Sequence, residues 1–305
     1  MLSQLTEVQQ KIVESQSNRI LVSAGAGTGK TRVLTSRINH LVKNMRYSEY
    51  DILALTFTRY AANEMRERLA GMAIKDVEIR TFHSWALNNL KRFGENTGFG
   101  KDTDVITEIE RDEILKEIAT ECRVKLGRNF RYREFIWEMP ANDNTCGWAT
   151  YNEIKMVSIV RNLWNLYQQY RLTDYDKIIY DFVKLVNDSE FVREHLRRQY
   201  RHVLIDEFQD TNDKIWSVFQ QIDPDNLFIV GDVDQSLYGF NGSRPDIMTA
   251  IASEERWTLF KLEENWRCPT EVVSGANRLI FHNQKRIDRN MVSAENKAGR
   301  IRVVD

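Results

Sequence analysis

Cysteine is scarce in this 305-residue chain: Cys122, Cys146 and Cys268 stand far apart, and no Cys-x-x-Cys pair occurs. A disulfide framework and a structural zinc site are therefore not expected, and a reducing, cytoplasmic setting is the plain implication. No apolar run approaches the roughly 18 residues of a membrane span, and the polar N-terminus lacks a secretory pattern, so neither membrane insertion nor export is expected. An excess of one charge is missing as well. Lys and Arg number 43 against 44 Asp and Glu, a formal net charge of −1. No global basic field announces a nucleic-acid partner, so any such binding must come from a local groove. Internal repeats and low-complexity tracts are also lacking. What is present, 42% apolar and 29% charged residues, suits an ordinary globular protein with one large core or two smaller ones.

The rhythm along the chain is that of alternating strand and helix. Residues 19–23 read as a buried strand, and 29–42 as a helix with Val33, Leu34, Ile38 and Leu41 on one face. A strand at 51–57, a helix at 61–69 rich in strong helix formers, and a short strand at 77–81 follow. This order predicts an α/β fold with a mostly parallel sheet and helices on both faces. From about 86 to 197 the chain turns charged, aromatic and helical in period, with Met156, Ile159, Val160, Leu163 and Leu166 along one face. Residues 127–147, with Pro140, are less regular and read as a loop. The α/β rhythm then returns: a strand at 203–206, a helix at 213–222, a turn at Pro224 and a strand at 226–231. A helix begins near Pro269 and runs to about 281, and the final residues 301–305 read as a strand.

Residues 23–31 spell Ser-Ala-Gly-Ala-Gly-Thr-Gly-Lys-Thr between an expected strand and an expected helix, the context of a phosphate-binding loop. Glycines let backbone N–H groups curl around phosphate oxygens, and the helix N-terminus adds partial positive charge. In such a loop Lys30 reaches the β- and γ-phosphates and the Thr31 hydroxyl ligates magnesium. The strict G-x-x-x-x-G-K-[ST] pattern fails at its first position, Ala24. The plainer alternative is a glycine-rich turn capping a helix.

Residues 203–211 spell Val-Leu-Ile-Asp-Glu-Phe-Gln-Asp-Thr, so Asp206 and Glu207 close an apolar strand. Carboxyl ends of strands are where open α/β sheets bind ligands. One acid can hold magnesium while its neighbour orients and deprotonates an attacking water. Adjacent acids alone are often only a solvated strand end. The loop upstream and the Gln209-Asp210 that follows sharpen the reading.

The runs 24–31, 206–211, 231–240 (Gly-Asp-Val-Asp-Gln-Ser-Leu-Tyr-Gly-Phe) and 262–267 (Leu-Glu-Glu-Asn-Trp-Arg) resemble, in order and spacing, the motifs of superfamily 1 DNA helicases of the UvrD/Rep/PcrA type. Thr56-Phe57-Thr58 with Ala61-Ala62, Thr81-Phe-His83-Ser84, and 5–9 match further motifs of that family, as do 166–169 and 174–176 within the helical stretch. The resemblance implies a RecA-like P-loop NTPase sheet over 1–85 and 198–262, a helical insertion over 86–197, and the start of a second RecA-like domain over 263–305. It implies ATP and Mg2+ as cofactors, with Ala24, Gly25, Ala26, Gly27, Thr28, Gly29, Lys30, Thr31 and Arg32 around the phosphates. Asp206 then falls to the metal and Glu207 to the base.

Other roles rest on the resemblance alone. Gln9 reads the adenine edge, its amide offering both donor and acceptor. Trp266 stacks on the adenine, while Gln235 and Arg267 face the γ-phosphate. Phe57, Tyr238 and Phe240 stack single-stranded bases, and Thr58, Thr81 and His83 meet backbone phosphates. Without the resemblance, Gln9 would be a surface glutamine, Trp266, Phe57, Tyr238 and Phe240 core aromatics, and Arg267 a capping or salt-bridged arginine. His83 would be as readily a structural histidine. The expected partners are single-stranded DNA and single/double-strand junctions.

The chain departs from the family at Phe240-Asn241, where Trp-Arg is usual, and at Arg59-Tyr60, where Asn-Lys is common. The family's second RecA-like domain also continues for several hundred residues more. The expectation is therefore the N-terminal part of a 3′-to-5′ helicase, acting in repair or replication, that alone binds nucleotide and DNA weakly and unwinds nothing. A helicase–nuclease subunit of RecB or AddA type and a short non-catalytic DNA-binding form remain as alternatives.

Overall fold

The computed structural model describes residues 5–93, 99–100, 102–126, 130–138, 151–236, 243–283, 286–294 and 299. The chain opens with α1 (Glu7–Glu14), β1 (Arg19–Ala24), α2 (Lys30–Lys43), β2 (Ile52–Thr56), α3 (Arg59–Ala70), β3 (Glu78–Thr81) and α4 (Phe82–Phe93). It continues through β4 (Asp104–Ile106), α5 (Glu108–Glu121), α6 (Tyr132–Glu138), α7 (Tyr151–Tyr170), β5 (Leu172–Asp174), α8 (Tyr175–Asp188) and α9 (Glu190–Gln199). Then come β6 (His202–Ile205), α10 (Asp213–Ile222), β7 (Asn226–Gly231), α11 (Pro245–Ala252), β8 (Thr258–Leu262), β9 (Glu264–Asn265), α12 (Thr270–Ile280) and β10 (Val292–Ser293). These elements form two compact units, Met1–Phe82 with Arg193–Asp305, and His83–Val192.

In the first unit six strands pair in the order β3-β2-β6-β7-β1-β8, every pairing parallel. The central strands are near-continuous apolar runs because both of their faces are covered. β2 and β6 are buried at every residue, and β1 at all but its first. Helix α2 turns Val33, Leu34, Ile38 and Leu41 into the same core as Ile20, Val22, Ile52 and Val230. The expected α/β architecture is therefore the observed one. Strand β8 was not anticipated: Thr-Leu-Phe-Lys-Leu is short and partly polar, and only its pairing with β1 makes it a strand. That pairing matters, because β8 delivers the chain to Asn265, Trp266 and Arg267.

The second unit is mostly helical, as its period implied. Ile159, Val160 and Leu163 of α7 are fully buried, with Met156 and Leu166 packed on the same cluster. Two features differ from the sequence reading. A short parallel ladder, β4 with β5, lies among the helices, and its three-residue strands are too brief to leave a period. The stretch read as a loop over 127–147 contains α6 (Tyr132–Glu138), whose Ile136 is buried. Pro140, Cys146 and the strand expected at 301–305 lie outside the described residues. Among the described residues, no helix is long and apolar enough to cross a membrane.

The core of the first unit carries one titratable liability. His202, the first residue of β6, is buried, its Nε2 has no hydrogen-bond partner, and its ring meets Tyr47 edge-on at 4.2 Å. Burial first, then the nearby Arg37 and Arg201, press its pKa down to about 4. Between pH 6.5 and 4 the unfolded imidazole takes a proton that the folded one refuses, so stability falls as pH drops through that window. The ceiling on this effect is about 3 kcal/mol. Urea midpoints at pH 7.5 and 5 are expected to converge in His202→Gln relative to the wild type. A variant as acid-sensitive as its parent would refute the assignment.

Candidate nucleotide-binding site

Because the six strands are parallel, their carboxyl ends share one edge, where open α/β sheets receive ligands. Register fixes the neighbours along that edge: Thr81 beside Thr56, Leu55 beside Ile205, Ile205 beside Ile229, Gly231 beside Ser23, and Ala24 beside Leu262. The glycine loop thus leaves β1 two strands away from the acids that leave β6, with β7 between them.

The loop itself is built on left-handed glycines. Gly27 has φ 69° and Gly29 φ 88°, a region L side chains rarely adopt. A Cβ on Gly27 would lie 2.7 Å from the Cβ of Arg267, so the approach of 265–267 also depends on glycine there. Thr28 Oγ1 donates to the Gly25 carbonyl at 2.8 Å and ties the turn internally. Gly29 is the N-cap of α2 with no side-chain cap, which leaves the first-turn N–H groups for an anion.

Three outside residues hold the loop. Thr6 and Gln9 form a capping box at the start of α1, and Gln9 Nε2 also donates to the Thr28 carbonyl at 3.1 Å. The buried Gln9 amide thus retains one free donor hydrogen and one lone pair. Trp266 N–H donates to the Gly27 carbonyl at 2.9 Å, and Asn265 Nδ2 to the Ala26 carbonyl at 2.7 Å. Asn265 Oδ1 also accepts from the N–H groups of Arg267 and Cys268, at 2.8 and 2.7 Å. Sequence reasoning passed over Asn265. Its signal is an asparagine just ahead of a Pro-initiated helix, where Asx turns form.

The acids meet the loop through one contact: Lys30 Nζ lies 3.2 Å from Glu207 Oε2. Asp206 is buried beside them, and burial together with the Glu207 charge pushes its carboxyl up to about 7, against the pull of Lys30. Glu207 sits at φ 49°, ψ 44°, a strained left-handed conformation worth roughly 1–2 kcal/mol. It is held there by Asp206 Oδ1, which accepts the Glu207 N–H at 3.0 Å, and by Gln209 Nε2, which donates to Glu207 Oε2 at 2.9 Å. Gln209 Oε1 in turn accepts the Asp232 N–H at 2.9 Å, joining β6 to β7. Asp210, whose Oδ1 is buried without a hydrogen-bond partner, is raised to about 6 by burial and by Glu207. Neither Gln209 nor Asp232 announced a structural role in the sequence.

The remaining candidates fall as follows. Gln235 closes a short turn after β7, its Nε2 donating to Asp232 Oδ2. Trp266 is 50% exposed and Phe57 43% exposed, so neither is a core aromatic. Arg267 is exposed, and Arg32 half-buried in the first turn of α2. Thr58 is the N-cap of α3, its Oγ1 accepting the Ala61 N–H at 3.1 Å, and Thr81 ends β3. His83 belongs to the second unit, where burial presses its pKa down to about 4 and its ring meets Tyr175 edge-on at 5.6 Å. Tyr238, Phe240 and Asn241 lie outside the described residues.

The donor set suits a nucleotide-bound cation rather than a resident one. Among the described residues, no group of three or more His, Cys, Asp or Glu side chains could hold a metal ion. Mg2+ commonly takes one or two protein oxygens and completes its shell with phosphates and water. Thr31, in the first turn of α2, and Asp206 supply that kind of oxygen. The raised pKa of Asp206 marks a buried carboxylate short of positive charge.

A parallel sheet whose glycine loop and paired carboxylates meet at one edge defines an α/β, RecA-like P-loop architecture. A family model described as the UvrD/REP helicase N-terminal domain matches residues 5–255, and the chain belongs to that family. It is 31% identical over 309 residues to the ATP-dependent DNA helicase PcrA of Bacillus subtilis, covering 95% of this chain and 41% of that protein. Against the PcrA of Leuconostoc citreum it is 30% identical over 308 residues, covering 96% and 41%. Against that of Staphylococcus aureus it is 29% identical over 321 residues, covering 99% and 43%. The chain thus spans about two-fifths of the length of these relatives.

Proposed function

We propose that this chain is the ATP-binding half of a cytoplasmic DNA helicase or translocase that couples ATP hydrolysis to 3′-to-5′ movement on single-stranded DNA in repair or replication. The Lys30–Glu207 contact carries the reading, because it joins the loop suited to a triphosphate to the carboxylate suited to activating water. Ala24 to Thr31 and Arg32 surround the phosphates, with Lys30 supplying the charge. Thr31 and Asp206 hold magnesium, which neutralises phosphate charge when bound. Glu207 takes the proton of the attacking water. Gln235 and Arg267 face the γ-phosphate, Gln9 reads the adenine edge, and the exposed Trp266 ring stacks on the base.

DNA takes the other half of the strand-end edge. Phe57 offers a π-face at the end of β2, and stacking of this kind tolerates any sequence. Thr58 uses a lone pair to cap α3 and keeps its O–H for a phosphate. Thr81 and the neutral His83 add backbone contacts, and Tyr238 and Phe240 add stacking. Single-stranded DNA and its junctions with duplex are the substrates. Residues 263–305 open a second RecA-like domain that closes on ATP, and 86–197 form the helical insertion.

The test is Mg2+-dependent binding of a fluorescent ATP analogue to the 305-residue chain, with ATPase rates measured with and without single-stranded oligonucleotide. Nucleotide binding, slow hydrolysis accelerated by DNA, and no unwinding of a tailed duplex are expected. DNA binding without nucleotide binding at millimolar ATP would overturn the ATPase reading in favour of a non-catalytic form.

A further inference from the structure

Among the groups near this edge, one buried charge is assigned no task by the reaction. Arg289 lies in the segment between α12 and β10, and its side chain is 3% exposed. Its guanidinium donates to Asp232 Oδ1, lies 3.2 Å from Asp234 Oδ2, and reaches Ser23 Oγ at 3.4 Å. Both carboxylates belong to the tight turn that also carries Gln235. Two like charges so close would repel and splay the turn, and one cation between them, its Nη2 facing both carboxylates, removes the conflict.

What Asp232 then does reaches two candidate catalytic groups. Its Oδ2 accepts the Gln235 amide, and its Oδ1 accepts the Asp234 N–H at 3.0 Å, so the carboxylate that Arg289 pins also aims Gln235. Its own N–H fixes Gln209 at 2.9 Å, and Gln209 fixes Glu207 at 2.9 Å. The Arg289 segment is also tied to the chain between β8 and β9. Asn290 N–H donates to Glu263 Oε1 and Val292 N–H to the Glu263 carbonyl, both at 2.8 Å, and β10 pairs with β9 beside Trp266.

We propose that Arg289 is a positioning residue: acting through Asp232, it sets the Gln235 amide and the Glu207 carboxylate for the γ-phosphate, and links them to β9, the strand that leads into Arg267. The proposal rests on reading this edge as an ATP site. If the link is real, its loss is felt by a nucleotide with a γ-phosphate and hardly by one without.

The test compares affinities for a non-hydrolysable ATP analogue and for ADP in the wild-type chain, Arg289→Met, Arg289→Lys, Gln235→Ala and the Arg289→Met/Gln235→Ala double variant. Arg289→Met is expected to weaken the ATP analogue about tenfold and ADP less than about twofold. The double variant should lose less for the analogue than the two single losses combined, because Arg289 acts in part through the Gln235 amide. A purely structural arginine gives equal losses for both nucleotides and additive ones in the double variant, which would overturn the proposal. Arg289→Lys keeps the buried charge, and so the fold, but a lysine cannot span both carboxylates and Ser23. It should lose about threefold for the analogue alone, and wild-type behaviour in that variant also overturns the proposal. Should the wild type bind neither nucleotide, the ATP-site reading fails and takes this proposal with it. If the wild type binds both and the arginine variants match it, only the proposal fails.

Discussion

Replacing Glu207 with glutamine is expected to slow ATP hydrolysis by roughly 10²–10⁴-fold, the usual worth of a positioned general base, while leaving ATP binding intact or tighter. The first half follows from the chemistry: an amide cannot take the proton of the attacking water. The second follows from the Lys30–Glu207 contact at 3.2 Å, which an incoming phosphate must displace. Glutamine competes less well for the ammonium. It also removes the charge that helps hold Asp206 up near 7, so the carboxylate proposed to meet the metal ionises more readily. Steady-state ATPase rates and titration of a fluorescent ATP analogue on the same preparation separate the two effects. A loss below tenfold would move the base elsewhere, and Asp210, half-buried nearby and raised to about 6, is the carboxylate to try next.

The parts of this site that sequence exposes are those written in contiguous residues. Gly27 and Gly29 sit three residues from Lys30 or closer, and their left-handed φ angles are what glycine at those places exists to allow. Asp206 and Glu207 end a strand whose apolar run is itself the sign of a buried parallel position. The parts it conceals are contacts between distant segments. Asn265 reaches Ala26 across 239 residues, and Arg289 reaches Ser23 across 266. No local period or propensity reports such a pairing. The same reason hid β8, which becomes a strand only beside β1. The strain at Glu207 was concealed differently: nothing in Asp-Glu-Phe demands φ 49°, and only the hydrogen bonds from Gln209 and to Asp206 impose it.

Those concealed contacts also show how the edge is divided. Nucleotide-facing candidates leave β6, β7, β1 and β8, whereas Phe57, Thr58 and Thr81 leave β2 and β3. The two halves adjoin where the Asp206 N–H donates to the Leu55 carbonyl at 2.9 Å, two residues before Phe57. A shift of the acids on binding ATP would therefore be transmitted directly to the strand that presents the exposed ring. On the proposed assignment that is a short path from the nucleotide to the ring offered to DNA, with no intermediary element.

Lys30→Met carries the largest expected effect on binding: about a hundredfold weaker ATP, the worth of a hydrogen bond between charged groups at its upper end. Two losses combine in that figure. The phosphates lose their ammonium, and Asp206 loses the charge that now restrains its pKa. With Lys30 gone, Asp206 titrates higher still and is largely protonated at pH 7, where it cannot serve magnesium. The second loss depends on pH and the first does not. Since a carboxylate with a raised pKa ionises only as pH rises past it, the variant should recover much of its affinity between pH 7 and 8.5, while the wild type, whose Asp206 is already about half ionised at pH 7, gains at most about twofold. Calorimetric titration of Mg2+-ATP at both pH values resolves the two contributions, and Lys30→Arg, which keeps the charge, should show no such recovery. An affinity for Lys30→Met within about threefold of the wild type would mean that the triphosphate is not held by this loop, whatever its glycines allow.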